Sequence, residues 1–178
     1  VNVLARPEPA PEAELDAFLR AEAGTVLAER LRADWLRRLA KDGEWARFVA
    51  LYPALSNPDY EMRCTAWTAR LMTGDRSALD EVAQQWRTLD DAPAACDTPL
   101  RAAFESGVVS EDEVWQRARR QTDTRKPDDA RLTWRWLPAE TAPAPAQVEH
   151  ALKSPSAWLD RLPANFGVTR GGRELVLA

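Results

Sequence analysis

The chain has 178 residues, 45% of them hydrophobic and 29% charged, which is the ordinary balance of a globular domain long enough to bury a sizeable core. Its formal net charge of −4 argues against a nucleic-acid partner, because such binding depends on clustered Lys and Arg that neutralise phosphates. No apolar run approaches the roughly 20 residues of a membrane-spanning helix, so we expect no transmembrane segment.

The first predicted elements are a helix and then a helix pair. Residues 11–21 begin with proline followed by acidic residues, which suit the first turn of a helix. A second helix is predicted over about 25–41 and ends at Gly43, and a short partner helix then ends at Pro53. The predicted buried face of the second helix consists of four residues spaced four apart: Leu27, Leu31, Trp35 and Leu39.

Another helix pair follows. Asn57 and Pro58 predict its start, as a capping residue and a proline at the first helical position. Gly74 separates the two helices of this pair. The first is predicted to bury Tyr60, Cys64, Trp67 and Leu71, and the second Leu79, Val82, Ala83 and Trp86.

The later elements are shorter. Gly107 ends one helix, and Ser110 with Glu113 has the spacing of a capping box at the start of the next. The proline-rich residues 138–145 predict a loop or hinge. Three further helices are predicted, over about 127–137, 146–153 and 155–162.

The spacing of the helix pairs predicts the architecture. Trp35 and Trp67 are 32 residues apart, as are Leu39 and Leu71, and such a period is typical of tetratricopeptide-like repeats. We therefore predict an all-α fold, a superhelical α-solenoid of paired antiparallel helices. Since the sequence starts at Val1 rather than Met, we expect a processed or trimmed chain. The predicted parts are helix-pair repeats over 1–137, a loop or hinge over 138–145, and further helices over 146–178 that form the truncated end of the same solenoid.

The two cysteines leave two interpretations open. Cys64 and Cys96 can be joined in a disulfide, which would place the chain in an oxidising compartment, or both can be free and buried as small apolar residues. A zinc site that adds His150, the one histidine of the chain, lacks the short ligand spacing of such sites and is rejected.

A basic run extends from Arg117 through Arg125 to Arg131 and Arg135. Acidic residues lie on both sides of it, which indicates a solvated helix face. The alternative interpretation is a surface that meets an acidic polymer.

Five segments, taken in order and spacing, resemble recurring segments of soluble lytic transglycosylases, bacterial periplasmic enzymes that cleave peptidoglycan. The similarity covers roughly residues 14–137. The segments are residues 25–45 (TVLAERLRADWLRRLAKDGEW), 48–53 (FVALYP), 63–67 (RCTAW), 95–97 (ACD) and 114–117 (VWQR).

The resemblance implies a fold, a bond and a location. The non-catalytic part of these enzymes is a superhelical ring of paired helices. The resemblance also implies a Cys64–Cys96 disulfide and export to the periplasm. The chemistry, cleavage of the MurNAc–GlcNAc bond with formation of an anhydro sugar, belongs to a separate lysozyme-like domain. The implied partners are therefore peptidoglycan or that catalytic domain, and the oligomeric state is left open.

Each candidate reactive residue lacks part of the motif or geometry that its chemistry needs. The family's acid is a glutamate followed by serine, but Glu105 and Ser106 lack the glycine-rich portion that follows it. His150 and its neighbour Glu149 point in different directions on a helix and cannot orient one another. Residues 167–174 faintly resemble a phosphate loop without its Lys and Ser/Thr. We therefore expect no catalytic residue, no cofactor and no metal in this chain, which argues against a helical enzyme with its own site.

Eight tryptophans are many for this length, and indole faces can stack on sugars. Trp35, Trp67 and Trp86 fall on predicted apolar stripes, which favours packing between helices for these three. Trp134 and Trp136 are two apart on a predicted helix and cannot share one face, so they are the candidate ligand-facing aromatics. Two functions are therefore compared: a transglycosylase scaffold, and a free-standing periplasmic helical-repeat module for protein interaction.

Overall fold

The computed structural model describes residues 12–86, 88 and 92–177, and within these ranges all regular structure is helical, with no strand. The all-α prediction is therefore confirmed. Of the described helices, none is at once long and apolar enough to cross a membrane. The α-helices of the described part are α1 Glu12–Ala21, α2 Val26–Asp42, α3 Trp45–Leu51, α4 Tyr60–Met72, α5 Ala78–Trp86, α6 Asp97–Glu105, α7 Glu111–Asp123, α8 Pro127–Trp134, α9 Pro145–Lys153, α10 Pro155–Leu159 and α11 Arg170–Leu177.

The structure contains two compact units. Unit 1 holds the described residues of Val1–Glu81 and Pro93–Pro99, and unit 2 holds those of Val82–Ala92 and Leu100–Ala178. The divisions fall within α5 and α6, so each of these helices contributes residues to both units. Of the predicted hinge, residues 138–145, residues 138–144 are non-helical and Pro145 is the first residue of α9. All belong to unit 2, and a domain boundary there stays a prediction.

Helix caps in unit 1 explain where its helices begin and end. Gly43 has a φ of 74° after α2, a left-handed conformation that glycine adopts without strain, as predicted. The predicted start of α4 at Asn57 and Pro58 is wrong. Asp59 is the cap instead, because its backbone is extended and its carboxylate accepts the N–H of Met62 at 2.7 Å.

The buried stripe of α2 differs from the predicted one. Leu31 and Leu39 are buried as expected, but Leu27 is 49% exposed, and Leu36 is fully buried. The reason is that a spacing of four residues overshoots the 3.6-residue turn by about 40° at each step. Over three steps from Leu27 the predicted face drifts about 120°, so its first member lies outside the real stripe.

The core of unit 1 is formed where α2, α3 and α4 pack together. The fully buried Phe48 of α3 lies between its neighbours and stacks on Tyr52, with ring centroids 5.7 Å apart. Burial of the phenol raises the pKa of Tyr52. The buried members of this cluster are Leu36, Leu39, Phe48, Leu55, Met62, Ala66 and Ala69.

A disulfide joins Cys64, in the middle of α4, to Cys96, in the 3₁₀ turn that precedes α6. Both cysteines are fully buried, and their Cα atoms are 4.8 Å apart. The bond confirms the pairing implied by the family resemblance. It also removes the zinc alternative, because bonded sulfurs cannot act as thiolate ligands.

A polar network joins the end of α4 to α5. The Arg70 guanidinium donates to Asp75 and to Glu81, each at 2.7 Å, and the indole N–H of Trp67 donates to Glu81 at 3.1 Å. Hydrogen bonds from Ser77 and then Arg70 hold the pKa of Asp75 below its usual value of 3.8. The pKa of Arg70 is raised, since burial lowers it but its bonds to the two carboxylates outweigh that effect.

Unit 2 contains the α7–α8 pair. Ser110 caps α7, and Glu113 returns a hydrogen bond to the Ser110 backbone N–H, so the predicted capping box is confirmed. Inside the pair, the Thr133 hydroxyl donates to the side-chain oxygen of Gln121 at 2.7 Å, and both residues are buried. This bond pairs two polar groups inside an otherwise apolar interface.

Removing the disulfide tests its contribution to stability. The closed loop contains 31 residues between cysteines 32 apart. The double variant Cys64→Ala, Cys96→Ala should therefore lose about 3–4 kcal/mol of unfolding free energy, measured by urea denaturation. Wild type denatured under reducing conditions is the control and should lose a similar amount. A loss under about 1 kcal/mol would contradict the expectation that the bond restricts the unfolded chain.

The Asp75 network predicts a pH dependence. Because its pKa is lower in the folded than in the unfolded chain, the stability it contributes is complete above the unfolded pKa and is lost as the pH falls through the folded pKa. Asp75→Asn should therefore lower the melting temperature at about pH 6, and the difference from wild type should shrink as the pH falls below the unfolded pKa of about 3.9. Asp16→Asn, an equal charge change at an exposed site in α1, is the control. A difference that persists at the acid end would contradict the assignment.

Candidate functional site

Two open pockets of unit 2 share residues 142–144 as a common wall. We call them the Trp134 pocket, of about 520 Å³, and the Trp115 pocket, of about 560 Å³. Both volumes lie in the range of small-molecule sites. The Trp134 pocket is lined by Arg131, Trp134, Arg135, Leu137, Val148 and Glu149, among others. The lining of the Trp115 pocket includes Glu111, Trp115, Gln147, Asn165, Phe166 and Arg170.

The shared wall is a turn that proline keeps out of the helices. The backbone N–H groups of Thr141 and Ala142 both donate to the Pro138 carbonyl, at 3.0 and 2.9 Å. Pro143 is buried, and Pro145 occupies the first turn of α9, where a missing N–H costs no helical hydrogen bond. The wall is therefore a fixed local conformation with one side toward each pocket.

Two adjacent glycines bring α11 against this wall. A Cβ atom on Gly171 would lie 2.8 Å from the Thr141 carbonyl oxygen, and one on Gly172 would overlap the Phe166 carbonyl oxygen. Residues 167–174, which faintly resemble a phosphate loop, thus need glycine for close packing. The sequence did not predict α11, since glycine pairs ordinarily indicate loops.

Charged pairs and aromatic contacts shape the Trp115 pocket. The Arg170 guanidinium lies 5.1 Å from the Trp115 ring centroid and pairs with Asp112. On the other side, the indole N–H of Trp158 donates to Gln147 at 2.8 Å, and the Trp158 ring meets Phe166 edge-on at 5.3 Å. These contacts fix Arg170, Gln147 and Phe166 on the pocket lining.

A second ion pair holds α11 to α7. Glu174 is buried and accepts two hydrogen bonds from the guanidinium of Arg119, which raise the pKa of Arg119. Thr169, immediately before α11, and Arg170, its first residue, line the Trp115 pocket. The Arg119–Glu174 ion pair therefore keeps this end of α11 at the edge of the pocket.

Each pocket has a tryptophan with an unsatisfied polar atom. Among the described residues, the Nε1 atoms of Trp115 and Trp134 have no hydrogen-bond partner, and both are buried. Buried polar groups are nearly always paired in native proteins, so these two atoms are exceptions, and both are covered by protein atoms.

Trp134 and Trp136, the predicted ligand-facing aromatics, take different positions. Trp134 ends α8, is only 3% exposed and lines its pocket, whereas Trp136 lies in the turn beyond the helix, which was predicted to continue to residue 137. Trp136 is half-buried, with its ring centroid 5.1 Å from that of Trp86 and the Arg101 guanidinium 5.4 Å away. Contact of either residue with a ligand stays a prediction.

The candidate reactive residues lie at ordinary surface positions. Glu105 is exposed at the end of α6, and the Ser106 hydroxyl donates to the Ala103 carbonyl at 3.0 Å. His150 is exposed on α9. In the part of the chain that the structure describes, no three His, Cys, Asp or Glu residues are grouped so that they could hold a metal ion.

Three lining residues were not predicted as pocket residues. Arg131 and Arg135 belong to the basic run, for which a solvated helix face and an acidic partner were the two interpretations, and Trp115 was not assigned to a site. The sequence did contain one indication for the two arginines. Arg131 and Arg135 are four residues apart at the end of a helix, and this spacing places both side chains on one helix face. Nothing local to α7 indicates that a loop some 30 residues later forms a pocket beside Trp115.

Comparisons with protein-family models, with curated proteins and with solved structures found no match to the chain. The disulfide, the helix pairs and the two pockets are therefore the observations from which a function can be proposed.

The close approach at Gly172 predicts a matched pair of variants. Gly172→Ala should lower the free energy of unfolding by about 1–3 kcal/mol, because the new methyl group overlaps backbone that cannot move aside freely. Gly167→Ala is the control, since its Cβ would meet only the flexible Arg173 side chain at 3.7 Å. Urea denaturation followed by circular dichroism measures both, and equal losses in the two variants would contradict the assigned packing.

Proposed function

We propose that this chain is the non-catalytic, superhelical scaffold region of a periplasmic lytic transglycosylase, the enzyme class that cleaves the MurNAc–GlcNAc bond of peptidoglycan with formation of an anhydro sugar. The observation that carries the proposal is the buried Cys64–Cys96 disulfide. The two cysteines lie in the segments RCTAW and ACD, whose resemblance to that family implies this bond.

The disulfide supports the periplasmic location. Such bonds form and persist in oxidising compartments and are rare in the reducing cytosol. Complete burial of both sulfurs makes this a structural bond, because a redox-active pair needs an exposed sulfur that another thiolate can attack.

The helix pairing supports the superhelical repeat. Within each unit, contacts form between helices that follow one another in the chain: α2 with α3 and α3 with α4 in unit 1, and α7 with α8 and α9 with α10 in unit 2. Packing between successive short helices is the feature that helix-pair solenoids share. In the proposed scaffold these pairs are its repeats.

The Trp115 pocket supports a glycan partner. Sugar sites combine an aromatic surface with side chains that bond hydroxyl and acetamido groups. Here Phe166 supplies a half-buried ring, while Asn165 and Glu111 supply donors and acceptors.

The chemistry belongs to a separate domain in this proposal. A glycosidase acid requires a carboxyl group in a desolvated cleft, which raises its pKa toward neutrality. Glu105, the glutamate followed by serine in this chain, lies exposed at a helix end. The scaffold therefore positions a glycan strand or the catalytic domain and does not cleave.

Binding to purified peptidoglycan sacculi tests the proposal. The oxidised chain should co-sediment with sacculi and should release no anhydro-muropeptides, measured by mass spectrometry of the supernatant. Asn165→Ala should weaken retention about threefold to tenfold, the effect of one lost hydrogen bond. Asn57→Ala, the same change at an exposed residue of unit 1, should leave retention unchanged.

Three results would count against the proposal. Anhydro products from the purified chain would contradict a scaffold role. Two free thiols, detected by alkylation after expression with a periplasmic export signal, would remove the support for the location. Absence of retention by sacculi would favour the alternative, a free-standing periplasmic interaction module.

A further inference from the structure

A smaller open pocket, which we call the Arg161 pocket, lies between α9, α10 and the turn that follows α10. Its volume of about 230 Å³ is below the range of about 300–1,000 Å³ of small-molecule sites, so it admits one functional group of a ligand. The polar side of the lining is formed by Gln147, His150, Ser154 and Arg161, and the apolar side includes Trp158, Leu162 and Phe166. Of these residues, only Gln147 and Phe166 also line the Trp115 pocket.

Two of the polar residues share one face of α9. Gln147 and His150 are three residues apart in this helix, and residues at that spacing are neighbours on a helix surface. The side-chain oxygen of Gln147 accepts the indole N–H of Trp158 at 2.8 Å, which leaves the amide NH₂ group of Gln147 to donate elsewhere. His150 is exposed, and its imidazole ring carries at least one N–H in either protonation state. The face of α9 therefore offers two donors to the pocket.

Ser154 and Arg161 supply the other two donors. Ser154 directly precedes α10, but its hydroxyl forms no capping hydrogen bond with that helix and can therefore donate to a ligand. Arg161 follows α10, and its backbone N–H donates to the Trp158 carbonyl at 3.1 Å, which fixes the turn. Arg161 is exposed, and no residue in the described ranges forms an ion pair with its guanidinium.

The charge and the donors of this pocket favour a phosphate group. Among the described residues that line it, Arg161 carries the one full charge at pH 7, and none is aspartate or glutamate. A guanidinium with three neutral donors around it suits an anion whose oxygens point in different directions. A phosphate monoester has three such oxygens and a charge of about −1.5 to −2 at pH 7. The two oxygens of a carboxylate lie in one plane and match fewer of these donors.

The apolar side of the pocket describes what the phosphate is attached to. The Phe166 ring is half-buried and meets the Trp158 ring edge-on at 5.3 Å. The backbone N–H of Phe166 donates to the Pro163 carbonyl at 2.9 Å, so the ring starts from a fixed turn. Leu162 is half-buried on the same lining. An ester with an aromatic or apolar group can therefore place that group against Phe166 and Leu162 while its phosphate meets the donors.

We propose that the Arg161 pocket binds a phosphate monoester group, with Arg161 as the main contact and with Gln147, His150 and Ser154 as further donors. This site is independent of the proposed function, because it requires neither a sugar contact nor a catalytic domain. The same group occurs in soluble phosphate esters and in the headgroup of phosphatidic acid, so the experiment includes both sources.

Isothermal titration calorimetry with inorganic phosphate, phenyl phosphate and benzoate tests the proposal. Phenyl phosphate should bind more tightly than inorganic phosphate by about threefold to tenfold, because its ring contacts the apolar side. Benzoate keeps the ring but has a carboxylate, and it should bind at least about tenfold more weakly than phenyl phosphate, the effect of one lost hydrogen bond to a charged group. Co-sedimentation with phosphatidylcholine vesicles that contain phosphatidic acid tests the lipid source, with phosphatidylcholine alone as the control.

Variants of the full chain locate the binding. Arg161→Gln should reduce affinity for phenyl phosphate by about tenfold to a hundredfold, the effect of a hydrogen-bonded charge pair. His150→Ala should reduce it by about threefold to tenfold, the effect of one donor. Arg125→Gln, the same change at an exposed arginine of unit 2 outside this pocket, is the control and should bind like wild type. All three positions are exposed, and melting temperatures that match wild type establish that each variant is folded.

The outcomes decide the proposal separately from the proposed function. Binding of phenyl phosphate or of the phosphatidic acid vesicles, lost in Arg161→Gln, supports the site and identifies the source of the group. The site is overturned if neither binds at millimolar concentration, if benzoate binds as tightly as phenyl phosphate, or if Arg161→Gln binds like wild type. Binding of inorganic phosphate that is as tight as that of phenyl phosphate contradicts the ester. Retention by sacculi is tested through Asn165, which does not line this pocket, so either proposal can fail alone.

Discussion

The covalent tie between α4 and the turn before α6 is the constraint on which unit 1 depends. Cys64 lies in a helix whose neighbours on the buried side belong to the core of α2 and α3, so the bond is anchored in the best-packed part of the unit. The loop that it closes contains α5 together with the Arg70 network. Salt and acid weaken such exposed ion pairs, whereas a buried disulfide persists, so the closure of the loop does not depend on them.

The tryptophans of unit 2 serve two physical roles that depend on what surrounds the ring. Trp86 is buried between the Arg117 guanidinium, 4.7 Å from its centroid, and the ring of Trp136. Its N–H donates to the Glu113 carbonyl at 3.2 Å, so ring and polar atom are both satisfied and the residue is structural. Trp115 and Trp134 are equally buried, yet their N–H groups lack partners and both line pockets.

The turn at 138–144 supplies the wall that the two pockets share, and α11 packs closely against it. The turn at 138–144 is confined by prolines, and α11 approaches it so closely at Gly171 that only glycine fits there, while Gly172 lies against the Phe166 carbonyl. Glu174 and Arg119 then hold α11 in place. One wall with a pocket on each side brings a polar, aromatic surface next to a cationic, apolar one.

The sequence by itself determined the features that arise within one helix. The capping box of α7, the left-handed glycine after α2 and the buried face of α5 were all predicted correctly, since capping and periodicity depend on residues three or four apart. The cysteine pairing was implied by resemblance and not by spacing. Only the tertiary structure decided that Leu36 replaces Leu27 in the core, that Trp134 lines a pocket, and that Arg135 faces it. Those outcomes depend on which elements pack together, and contacts between distant segments leave no periodic trace in a single sequence.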